Sequence, residues 1–270
     1  MSIDFPYERY ETLTEPVTTY YPKGAELQAR QVAQIIHNAA EQLAQALARP
    51  VPELEILLVT LQDWDLAPHD DAEEVDVTQP YLTEATTPPT LVVPVVLDGV
   101  FGFVFDENLG EMTPEKFALA LYHEVVLAFL EDDPRPWPEE YPLWADEWQI
   151  KFAALWLSHQ LDGQQGVVNQ DLHEHYAEIF EPEPDGKTPV TVRGFDWFED
   201  TDPEEYLCYE LLLEQFAADL LAAYPIDILP RFLALYRKTA AQLLSDDVTN
   251  MLVSALGPGG EEWLEALVYF

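Results

Sequence analysis

Cysteine is almost missing from this chain. Cys208 stands alone in 270 residues, which excludes an intramolecular disulfide framework and a cysteine-rich zinc site and suits a reducing cytosol. Basic residues are nearly as scarce. Twelve Lys and Arg face 51 Asp and Glu, for a net charge of −39. A surface of that sign repels nucleic-acid phosphates and anionic membranes, so neither is expected as a partner. No uncharged apolar run reaches the roughly 18 residues a transmembrane helix needs. Met1 to Arg9 lacks a basic region followed by an apolar stretch, so no signal peptide is expected and the cytoplasm is the expected compartment. There is no glycine-rich phosphate loop, no Ser-His-Asp signature and no internal repeat.

What remains is rich in apolar and aromatic residues. A hydrophobic share of 48% supports a sizeable core and rules out disorder. The expected fold is α+β: one domain, 1–270, with a mixed sheet in the N-terminal half (lobe 16–131) and a helical C-terminal lobe (142–270). Residues 1–15 read as an arm. Strands are expected over 16–21 and 53–60, around a helix at 25–48 with apolar residues at helical spacing. The stretch 63–87 reads as a long acidic loop, without the glycine and terminal glutamate of a calcium loop. Asp98-Gly99 between 90–96 and 100–105 signals a hairpin. Thr113-Pro114-Glu115 is a helix start: a cap, a proline at the first helical position, and an acid in the first turn. Strands are expected within 189–198, and helices over 114–130, 143–161, 169–180, 203–223, 228–244, from Asp246 or Asp247 to Gly257, and 260–268.

The stretch 117–157 organises the rest. Its first helix is apolar almost all round, the mark of burial, yet it carries His123 and Glu124 in its middle. A buried carboxylate without a partner costs several kcal/mol, so Glu124 needs a hydrogen-bond donor, a proton or a water pocket. Adjacent residues lie about 100° apart around a helix, so a metal ligand and a carboxylate can face one cleft. A zinc site of this kind takes a second histidine one turn on. That position is Leu127, which cannot ligate.

Tyr122-His123-Glu124-Val125-Val126-Leu127 resembles the His-Glu-x-x-His helix of zinc metallopeptidases with its second histidine replaced. Pro142-Leu143-Trp144-Ala145-Asp146-Glu147-Trp148 resembles the Pro-x-Trp-x-x-Glu-Gly segment of gluzincins, with Trp148 in place of the glycine. The order of elements over 17–269 is similar to that of the same peptidase MA-like group, down to Tyr206-x-x-Tyr209 in the helical tail. The resemblance implies a zincin-like fold. It implies His123 as the first zinc ligand, Glu147 as the third, Glu124 as general base, and Tyr206 or Tyr209 as the residue that stabilises an oxyanion. Leu127 departs from the pattern at the second ligand. With two protein ligands, zinc would be held far more weakly than by the usual three plus water.

Simpler readings stand beside these. Lys151 lies four residues beyond Glu147, the spacing of a helix-surface ion pair. His173 and His175 fall on opposite faces of a helix, so they make a poor ligand pair; they and His159 are the histidines available as substitutes. Cys208 lies on an apolar helix and reads as packed rather than nucleophilic. The expected function is therefore that of a degenerate, catalytically inactive metallopeptidase-like protein. It carries no cofactor and binds a protein or peptide, its acidity marking a basic partner or a high-salt milieu. The alternatives are an active zinc peptidase with a substitute ligand, and an acidic interaction protein or DNA mimic.

Overall fold

The structure, a computed structural model, describes residues 5–69, 79–95, 112–130, 142–180, 190–195, 202–239 and 243–270. The chain divides into two compact units. One holds residues 1–45 and 49–129, the other residues 46–48 and 130–270.

The first unit is built on a five-stranded mixed sheet in the order β1-β2-β3-β5-β4. The strands are β1 (Tyr10–Leu13), β2 (Thr19–Pro22), β3 (Glu55–Val59), β4 (Tyr81–Thr83) and β5 (Thr90–Pro94). β2 and β3 are parallel, joined by the crossover helix α1 (Glu26–Leu47), and β3 and β5 are also parallel. β1 and β4 run antiparallel at the two edges. Ile56, Leu57, Leu58 and Val59 are all fully buried, so the central strand is covered on both faces. One face packs Leu57, Val59 and Val92 against Phe5, Tyr10 and Trp64. Arg49, just beyond α1, donates to the Phe129 carbonyl at the end of α2 (Pro114–Leu130), 2.7 Å away.

The expected start of α2 is observed. The Lys116 N–H donates to Thr113 Oγ1 at 3.2 Å, and the Glu115 carboxyl is held below its usual range by its own backbone N–H and the Thr113 hydroxyl. Two expectations fail in this unit. Residues 10–13 are a strand rather than part of an arm, and 81–83 are a strand inside the supposed loop. Of the hairpin at Asp98-Gly99, only its first arm, β5, falls within the described residues.

The second unit is helical: α3 (Trp144–Leu161), α4 (Gln170–His175), α5 (Pro203–Ala223), α6 (Ile228–Tyr236), α7 (Ser245–Leu256) and α8 (Gly260–Glu265). Its core gathers Trp148, Phe216 and Phe232, with Trp148 edge-on to Phe232 at 4.8 Å. Trp144 Nε1 donates to Ser245 Oγ and the Tyr236 hydroxyl to Asp146, both at 2.9 Å, tying α3 to α7 and α6. Asp202 caps α5 by accepting from the Glu204 N–H at 2.8 Å.

Residues 190–195 are turns, not the expected strands. Their apolar signal comes from Val192; its N–H and that of Arg193 bond the Tyr269 and Phe270 carbonyls at 2.9 and 3.3 Å, without forming a strand. The expected helix 228–244 stops at Tyr236, because the Lys238 and Thr239 N–H groups bond carbonyls three residues back and tighten the last turn. Likewise α8 ends at Glu265, and Leu267 and Phe270 close short turns. Among the described residues no helix is long and apolar enough to cross a membrane.

Candidate functional site

The predicted site residues fall into both units. His123 and Glu124 stand on α2 in the first; Glu147 on α3 and Tyr206 and Tyr209 on α5 lie in the second. His123 is half-buried on α2. Glu124 is 9% exposed, and its Oε2 accepts the Leu82 backbone N–H at 2.7 Å. β4 is an edge strand, and this N–H is one that the ladder with β5 does not use. A carboxylate here gives the strand edge the acceptor that water or another chain would otherwise supply. Leu127 is half-buried one turn further along α2.

In the second unit, Glu147, Tyr206 and Tyr209 are brought together around Lys151 and Glu210. Lys151 Nζ lies 2.5 Å from Glu210 Oε2, with both side chains mostly covered. The simple Glu147–Lys151 surface pair expected from sequence is therefore replaced by a cross-helix pair to Glu210. Glu147 is left with like charges nearby. Burial, then the Glu210 and Asp146 charges, push its carboxyl up to about 7, against the pull of Lys151. Tyr206 hydrogen-bonds Glu210; that negative charge, with burial and Glu147, drives its phenol far above the ordinary range. Tyr209 is fully buried and stacks on Phe195 at 4.2 Å. Its hydroxyl has no hydrogen-bond partner among the described residues, and burial with the Glu147 and Glu210 charges raises it strongly too.

The three candidate substitute ligands are engaged separately. His159 Nε2 lies 2.9 Å from the Gly166 carbonyl, and His175 sits edge-on to Tyr176 at 4.8 Å. His173 Nε2 lies 3.3 Å from Glu214 Oε2. Among the described residues no group of three or more His, Cys, Asp or Glu side chains is placed to hold a metal ion. Cys208 is buried, and burial with the charges of Glu204, Glu178 and Glu205 raises its thiol pKa, which makes it a packed side chain and not a nucleophile.

Glu214 is the polar residue that sequence reasoning missed. Its side chain is 4% exposed. Oε1 accepts the Val168 and Asn169 N–H groups at 2.6 and 3.2 Å, and Oε2 accepts Asn169 Nδ2 at 2.8 Å besides facing His173. Burial pushes this carboxyl up, but the donors from His173, Asn169 and Val168 outweigh it and hold it below the usual range. One signal was available: three of its four one-turn neighbours on the helix, Leu211, Ala217 and Ala218, are apolar.

Beside this pair lies an open cleft of about 650 Å³, walled by α4, α5 and residues 266–269. His173, Glu174, Gln215 and Tyr269 line it with several apolar side chains. In comparisons with known proteins, no family model matches the chain and no curated protein shows significant similarity to it.

Proposed function

We propose that this is a zincin-like protein of the gluzincin type that has lost peptide hydrolysis and acts by binding a basic protein or peptide. The observation that carries the reading is the engagement of Glu124. The residue in the position of the general base gives its Oε2 to the Leu82 N–H at 2.7 Å, a structural bond at the edge of the sheet. A general base needs its lone pair directed at a bound water.

The donor set fits catalytic zinc poorly. His123 has a leucine where its partner imidazole would stand. Glu147 retains its proton up to a pH of about 7, and a metal would have to displace that proton in a pocket already holding Lys151 and Glu210. A net charge of −39 favours a basic partner by long-range attraction and disfavours nucleic acid and anionic membrane. The lone buried thiol of Cys208 is compatible with a reducing cytoplasm, which we take as the compartment.

Metal analysis of protein purified without chelator tests this directly. Zinc below about a tenth of an equivalent is expected, since catalytic sites retain metal. A near-stoichiometric content together with peptide cleavage would overturn the proposal. Leu127→His is the constructive counterpart: it should raise zinc uptake measurably above that of the parent, and no gain would count against a zincin-like geometry.

A further inference from the structure

The cleft of the helical unit has a character of its own. Val167, Ala177, Ala266 and Val268 supply apolar surface, and Val268 is 58% exposed there. Glu174 lies among the lining residues, and no Lys or Arg lines the cleft among the described residues. Two further carboxylates stand behind the wall, both on α5. Glu214 backs His173. Asp219 backs Gln215 and Tyr269: it accepts Gln215 Nε2 at 3.0 Å and the Tyr269 hydroxyl through a short hydrogen bond.

Both wall carboxylates are held by hydrogen bonds. The donors to Asp219, an amide and a phenol, carry no formal positive charge, and among the described residues no salt bridge neutralises it, so it gives the wall a negative field. The same donors occupy the carboxylate oxygens, which leaves no convergent set of free oxygens for a metal ion. With its nitrogen given to Asp219, the Gln215 amide keeps its oxygen, an acceptor, for a ligand. An anion is repelled by this wall, and a purely apolar molecule leaves its charge unanswered. A diffuse organic cation satisfies both the field and the apolar surface.

We propose that the cleft between α4, α5 and residues 266–269 is a binding site for a small organic cation, an ammonium or guanidinium group carried on an apolar body. The proposal concerns the helical unit alone and does not rest on the zincin-like reading.

Titration calorimetry with 2-phenylethylammonium, its neutral counterpart 2-phenylethanol and the anion phenylacetate tests it, at about 0.15 M salt to screen the general surface charge. Saturable one-to-one binding of the ammonium is expected, at least about tenfold tighter than the alcohol, with none for the anion. Ala177→Trp fills the cleft from an exposed position without altering net charge, and should weaken the ammonium at least about tenfold. Ala266→Trp does the same from the opposite wall should the first variant fail a near-ultraviolet circular dichroism check. Undiminished binding in a folded, filled variant would assign the cation to the acidic surface at large and overturn the site. Equal affinity for ammonium and alcohol would overturn the ligand class.

Discussion

Two glutamates in the helical unit, half-buried Glu147 and buried Glu214, respond to pH with opposite signs. Burial and neighbouring acids raise the Glu147 carboxyl from 4.5 to about 7. The folded state thus binds this proton more tightly than the unfolded chain. The stability it contributes is complete below 4.5 and lost as pH rises through 7. Glu147→Gln imitates the protonated form, so it should stabilise the protein at pH 8 by about 1–2 kcal/mol, after discounting for residual exposure, and by less at pH 5.5. Glu214 has the reverse sign. Its carboxyl is lowered by its donors, so its contribution is present above the ordinary carboxyl range and lost as pH falls through the depressed value. Glu214→Gln should cost about 2 kcal/mol at pH 8. Urea unfolding of both variants at the two pH values checks the pair; parallel changes would refute the assignment. Sequence showed Glu147 as a site candidate because its helix has a motif around it. It hid Glu214, whose donors Val168 and Asn169 lie 45 or more positions away in the chain.

At the level of elements, the Glu124 side chain ties the edge strand β4 to α2. Glu124→Ala removes the acceptor of the Leu82 N–H and should cost about 1–3 kcal/mol. Amide exchange at Leu82 should quicken ahead of that at the central strand β3, because the edge opens locally. Protection at Leu82 unchanged by the substitution would mean that α2 does not hold the strand. The long elements were legible in sequence because their periodicity runs for many residues: α1, α2, α3 and α5 all lie within a residue or so of expectation. β1 and β4, with four and three residues, are too short for alternation to register. Residues 189–198 misled in the other direction. Val190-Thr191-Val192 has the composition of a strand, but within 190–195 the backbone bends through turns. The cleft was not legible at all, since α4, α5 and residues 266–269 meet only through tertiary packing.

The charge belongs to the whole molecule. With 51 acidic and 12 basic residues, self-repulsion favours expansion at low ionic strength. Screening shortens the reach of that repulsion from about 30 Å at 0.01 M salt to about 3 Å at 1 M. The melting temperature should therefore rise by about 5 °C or more between these conditions, by differential scanning calorimetry. A melting temperature that falls with salt would show that attractive pairs such as Lys151–Glu210 outweigh the repulsion.

The bond from Glu124 to the Leu82 N–H also bears on descent. A side chain that holds a strand edge is selected for folding whether or not chemistry is selected with it. Under the zincin-like reading proposed above, Glu124 would persist for the sake of the strand edge alone, and Leu127, at the second-ligand position, is the residue that separates the hydrolytic from the non-hydrolytic state. On that reading a glutamate at 124 carries no information about hydrolysis, and the residue at 127 does.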